Sequence, residues 1–142
     1  MPSRLWVQQL LPKKRTKIMQ LGFMSAILPD QTLEEVFAIG KATGYTCVEL
    51  MCWPAGKADR RYAGVTHIDV TNSKPVDVPQ ILGLAQAHGM DITGLGYYPN
   101  LLTPDQEAGR AAALHLKHVI SAAKMLNLTV VVPLSGAIGR DP

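Results

Sequence analysis

The chain carries a carboxylate, Glu49, near the end of an apolar run, "GYTCVELMCWP" (residues 44 to 54). On a strand, alternation sets Cys47, Glu49 and Met51 on one face and Val48 and Leu50 on the other. If Val48 and Leu50 pack under helices, Glu49 points to the opposite side. There it can bind a ligand hydroxyl or act as an acid or base; the alternative is a structural acid held by a backbone amide or an arginine. Trp53 follows in the next loop, where an indole either stacks on the apolar face of a ring or lids the core.

Other candidates cluster in two further stretches. "RRYAGVTHIDV" (60 to 70) holds His67 and Asp69 two apart, so that in an extended segment both face one way and can share a proton or ligand. A hydrogen-bonded turn is the competing role. Arg60 and Arg61 suit a phosphate through bidentate guanidinium contacts, or form an ordinary solvated pair. "GLGYYPNLLTP" (94 to 104) ends a strand with Tyr97, Tyr98 and Asn100, neutral groups suited to a polyol. Alternatively, one tyrosine plugs the interior and the other remains free.

His115 and His118 lie one helical turn apart. No carboxylate on their helix is placed to complete a zinc site, and His115 continues the stripe Ala108, Ala111, Ala112, Val119, Ala122, so it is expected to be a packing histidine. Neither GxGxxG nor GxxxxGK[ST] occurs, and no nucleotide site is assigned. Cys47 and Cys52 form neither a CxxC motif nor a disulfide framework, which points to reduced thiols and a cytoplasmic location.

The elements that must position these groups are four strand-like runs, 18 to 24, 45 to 51, 91 to 98 and 128 to 134, separated by helical patterns. That alternation is the mark of parallel βα units. The first helix opens at Thr32 with Glu35 three residues on, a capping box, and ends at Gly44. The second has Asp77 or Val78 near its cap, Pro79 in its first turn and Gly89 at its end. The third is expected to begin with Thr103 as cap, Pro104 at the first helical position and Gln106 completing a box, and to run to about Leu126. Residues 52 to 75 form a long connection leaving the carboxyl end of a strand, where parallel α/β proteins bind ligands. The pattern suits either half of an eight-fold barrel or a small doubly wound sheet.

Composition narrows the classes. The 142 residues are 47% hydrophobic and 18% charged, as in a soluble globular domain, with no run long enough to span a membrane. Five cations and no acid fall in residues 1 to 17, so the remainder carries nine cations against eleven acids, a net charge of −2. The basicity belongs to that leader, read as a disordered or non-native extension rather than an organelle address or basic arm. The acidic body argues against nucleic acid as a partner.

The stretches "MQLGFMSAILPDQTLEEVFAIGKATGYTCVELMCWP", "GLGYYPNLLTPD" and "VVVPLSGAIGRDP" together resemble the amino-terminal half of sugar phosphate isomerase/epimerase proteins of the xylose isomerase-like TIM-barrel group, over about residues 18 to 142. The resemblance implies an α/β fold whose parallel βα units make the first half of a TIM barrel, truncated after strand four. It also implies proton transfer between adjacent carbons of a sugar or sugar phosphate, with a divalent metal (Mn, Mg or Zn) in the full-length family. In such relatives the metal ligands come mainly from later strands, so no metal ligand is carried over to this chain. Glu49, Trp53, His67, Tyr97 and Asn100 are the expected substrate-side residues. The alternatives are a non-catalytic half-barrel that self-associates, an inert truncated product and, ranked lower, a zinc phosphodiesterase of the abasic-site endonuclease kind.

Overall fold

The computed structural model describes residues 19–56, 62–71 and 76–138; the leader, Arg60, Arg61 and the terminal "GRDP" lie outside the described residues. Four strands, β1 (Gly22–Met24), β2 (Cys47–Met51), β3 (Asp91–Tyr97) and β4 (Val131–Pro133), form one sheet in that sequential order. Every neighbouring pair is parallel. Between them run α1 (Leu33–Ala42), α2 (Val78–His88) and α3 (Gln106–Met125), and a 3-10 turn, Ser25–Ile27, leaves β1. A doubly wound sheet reverses its strand order at a switch point, whereas a barrel does not. The unreversed order makes this α/β structure a partial TIM barrel.

Local chemistry accounts for the helix ends. The Thr32 hydroxyl accepts from the Glu35 amide while the Glu35 carboxylate accepts from the Thr32 amide at 2.7 Å, the reciprocal box anticipated for α1. Asp77 caps α2 by accepting from the Gln80 amide at 3.0 Å, and Gly89 closes that helix in the left-handed conformation. For α3 the expectation needs correction: the cap is Asp105, whose carboxylate accepts from the amides of Glu107 and Ala108. A carboxylate is attracted to the positive end of the helix more strongly than a neutral hydroxyl. Thr103 instead accepts from the Asp105 amide at 3.3 Å and organises the turn before the helix.

All three helices cover one face of the sheet. Val48 and Leu50 of β2 and Leu95 of β3 are fully buried against Val36 and Phe37 of α1, Ile81 and Ala85 of α2, and Val119, Ala122 and Ala123 of α3. Burying each large aliphatic or aromatic side chain contributes about 1.5–3 kcal/mol before entropy is counted. His115 joins this layer at 5% exposure, and its Nε2–H donates to the Cys52 carbonyl at 2.6 Å, the packing role its stripe implied. Ala108 and Ala111 of that stripe are exposed instead, because the buried face swings to Ala123 as the helix proceeds.

The opposite, concave face is lined differently. Cys47, Glu49 and Met51 point there, as alternation required, and β3 contributes Gly94 and Gly96. The connection after β2 folds back over the carboxyl end of this face. Cys52 forms an antiparallel bridge with Thr66, the Trp53 amide donates to the Val65 carbonyl, and the His67 amide donates to the Met51 carbonyl at 2.9 Å. Met51, Ala26 and Val65 make a second, small buried cluster beneath it.

Strands β1 and β4 are shorter than the sequence runs that contain them. Each pairs along one side only among the described residues, and Pro133 has no amide to extend its ladder. No helix among the described residues is long and apolar enough to cross a membrane.

Candidate functional site

The sheet's concave face, at the carboxyl ends of the strands, carries a cavity of about 140 Å³ bounded by Met24, Ala26, Met51, Trp53, Tyr62, Ala63, Tyr98 and Leu134. Of these, Tyr98 is one half of a polar pair. The Tyr98 hydroxyl donates to Glu49 Oε1 across adjacent strands, and this is the only hydrogen bond that Glu49 makes among the described residues. The second carboxylate oxygen makes no hydrogen bond among the described residues.

Gly96 makes the pair possible. A Cβ at this position would run into Glu49 Oε1, with Met51 Sδ at 2.9 Å and the Tyr98 hydroxyl at 3.2 Å, so the carboxylate and phenol meet over bare backbone. Burial pushes the Tyr98 phenol well above its ordinary range, and the hydrogen bond to Glu49 and that group's negative charge push it further. Tyr98 is thus a persistent donor, and its bond fixes the orientation of the carboxylate.

Tyr97 and Tyr98 separate cleanly. Tyr97 is 3% exposed on the helix side of β3, its ring 4.4 Å from that of His115 and 5.0 Å from that of Trp53. It belongs to the core, which raises its phenol pKa by desolvation. Tyr98, one residue on, faces the concave side. The signal was present in "GLGYY": Gly94 and Gly96 take the inner positions of β3, so the next inner position falls on Tyr98 and the outer one on Tyr97.

Trp53 bridges both layers, with one part against the core and another on the cavity. Its Nε1 is buried with no hydrogen-bond partner among the described residues.

His67 does not line this cavity; it borders a separate one together with Thr32, Glu34, Asp69 and Asp77. Its Nδ1 lies 2.9 Å from the Ser25 hydroxyl and its Nε2 lies 3.1 Å from the Leu28 carbonyl. A carbonyl can only accept, so Nε2 carries the proton and Nδ1 accepts from Ser25. Ser25 Oγ in turn accepts from the Met51 amide at 2.9 Å. The imidazole thereby ties the turn after β1 to the end of β2 and to its own loop, and burial lowers its pKa, partly offset by carbonyls of Leu28 and Gln31. Asp69 is engaged locally, accepting from the Thr71 amide and hydroxyl, as in a hydrogen-bonded turn.

Asn100 acts as a staple between rim loops. Its Oδ1 accepts from the amides of Leu102 and Ala137 at 3.1 and 3.0 Å, and its Nδ2 donates to the Ala137 carbonyl at 3.2 Å. Gly136 runs against this carboxamide at φ 84°, a left-handed conformation where a side chain would collide with Asn100 Oδ1. The loop after β4 is thus fixed to the loop after β3, which sets Leu134 at the cavity.

Both cysteines are free and buried, and burial with Glu49 nearby pushes the Cys52 thiol up to about 12, so it is unreactive. Among the described residues no three His, Cys, Asp or Glu side chains gather so that they could hold a metal ion. Glu49 faces a phenol, and both nitrogens of His67 are engaged within the fold. This donor set does not fit a divalent ion.

A sequential parallel sheet with helices on one face and polar groups at the carboxyl ends of its strands on the other defines one side of a parallel α/β barrel. The family model described as xylose isomerase-like TIM barrel matches residues 37–142, and the chain belongs to that family. A search of curated proteins gave no significant match.

Proposed function

We propose that the concave face is the substrate wall of a sugar isomerase or epimerase, on which a sugar or sugar phosphate lies while a proton moves between adjacent carbons. The observation that carries this reading is the Glu49–Tyr98 pair, set over Gly96 beside an apolar wall. Glu49 is the group able to accept a ligand hydroxyl or take a proton, Tyr98 holds it in place, and Trp53 offers a flat apolar surface to the C–H face of a sugar ring. Asn100 and His67 support the reading indirectly, by fixing the loops that shape the rim. Family membership supports the reaction class. A divalent ion would polarise sugar oxygens in such a reaction, but among the described residues no three candidate ligands gather to hold one.

Trp53 reports on the site. With the chain's other tryptophan, Trp6, replaced by phenylalanine, titration with pentoses and hexoses is expected to change the remaining fluorescence, with Kd on the order of millimolar, about 4 kcal/mol of binding. Glu49→Gln is expected to weaken that binding roughly tenfold, the cost of a charge-assisted hydrogen bond. Equal affinity in both proteins would remove Glu49 from the site.

A second role is favoured by the sheet edges. The outer sides of β1 and β4 are unpaired among the described residues, and Met24, Val130 and Leu134 are exposed toward the concave side. Two copies joined edge to edge, β4 of one to β1 of the other, would bring eight parallel strands together.

A further inference from the structure

We infer that His67 is a proton-operated latch on the loop that walls the cavity, closed while its ring is neutral and released when the ring takes a second proton. The latch acts on the wall itself, whatever ligand the cavity takes. Residues 62 to 67 supply two of the lining residues, Tyr62 and Ala63, and the segment is tied down by its backbone and by one side chain. The Trp53 amide donates to the Val65 carbonyl at 3.3 Å, the His67 amide donates to the Met51 carbonyl at 2.9 Å, and the imidazole spans Ser25 and Leu28. Of these ties, the imidazole is the one that responds to pH near neutrality.

In the neutral ring, Nε2–H donates to the Leu28 carbonyl and Nδ1 accepts the Ser25 hydroxyl proton. Ser25 Oγ accepts in turn from the Met51 amide, and Ser25 is fully buried. A second proton makes Nδ1 a donor, so the Ser25 hydroxyl hydrogen must leave its acceptor inside the protein. Burial already disfavours the charged ring at this position. On its other side the ring has a destination. His67 borders an open groove of about 410 Å³ that also carries Glu34 at the start of α1, Asp69 in its own loop and Asp77 at the cap of α2. The turn after β1 and the end of β2 meet the ring with uncharged groups, those of Ser25 and Leu28 and the Met51 backbone. All three carboxylates favour a cation, so a protonated imidazole is drawn from the buried hydroxyl toward the groove, and the loop that carries it follows.

The test is amide hydrogen exchange by NMR on the whole chain, corrected for the pH dependence of intrinsic exchange, so that protection reports the opening equilibrium. Between about pH 7.5 and about pH 5.5, protection at Trp53 and His67 is expected to fall together by about tenfold, the gain in opening one pH unit below the ordinary histidine pKa. The Leu126 amide, bonded to the Ala122 carbonyl in α3, should stay within about twofold and serves as the reference. In His67→Gln the fall should vanish. Constant protection in the wild-type protein overturns the latch, as does a fall that persists in His67→Gln or one that Leu126 shares, since opening is then global. The wild-type protein alone supplies a second check, which holds whether or not the variant folds. The ring signals of His67 should titrate with the same midpoint as the loss of protection and as the shifts of the Trp53 and Tyr62 ring signals; separate midpoints overturn the inference.

Discussion

Glu49 lies on the concave face, where its carboxylate is hydrogen-bonded to one phenol. The hydrogen bond and the negative charge both favour protonated Tyr98, so removing the charge must move the phenol back toward its ordinary pKa. Glu49→Gln is therefore expected to lower the titration midpoint of Tyr98, read as the phenolate absorbance that disappears in Tyr98→Phe. An unchanged midpoint would mean that the two groups do not interact in solution. The direction in which Glu49 points was legible from alternation in "TCVELM", because Val48 and Leu50 must bury beneath helices. Its partner was less legible. Two adjacent tyrosines look equivalent in a list of polar groups, and only the glycines at the alternate positions of β3 tell which one faces inward.

At the scale of elements, the rim depends on connections that sequence patterns describe poorly. The helices were legible from their caps and periodicity, apart from the start of α3, where Asp105 prevailed over Thr103 through its charge. The roles of His67 and Asn100 were not, since each is decided by partners far along the chain: Ser25 and Leu28 for one, Ala137 for the other. For His67 the consequence is a pH dependence. Its folded pKa is depressed by burial, so below its unfolded value the unfolded chain binds the proton more readily than the folded one. The stability it contributes is fully present above the unfolded pKa and is lost as pH falls through the folded value. The melting temperature is expected to drop between about pH 7.5 and about pH 5.5, with a shallower drop in His67→Gln. Identical pH profiles for the two proteins would show that His67 does not titrate with folding. Hydrogen exchange at the His67 amide, bonded to the Met51 carbonyl, would report the same loosening of the loop locally.

For the whole molecule, an α/β fold of parallel units was legible in the alternation of strand and helix patterns, and the unreversed strand order decided between barrel and doubly wound sheet. Four parallel strands leave two edges and a concave face partly open among the described residues, and the proposed edge-to-edge pairing rests on those edges. Sedimentation velocity is expected to show a concentration-dependent shift from monomer toward dimer, suppressed by Val130→Lys, which places a charge on the exposed inner face beside β4. A monomer at all concentrations would dismiss the edge-to-edge pairing. Ligand binding at the carboxyl end of that face is the central expectation. The direct measurement is an NMR titration with a neutral sugar, following the methyl signals of Met24 and Met51 and the ring signals of Tyr98. These signals should move together with a common dissociation constant in the wild-type protein, and much less at the same concentrations in Glu49→Gln. Signals that stay still in both proteins, or that move equally in both, would contradict the assignment of this wall to a sugar.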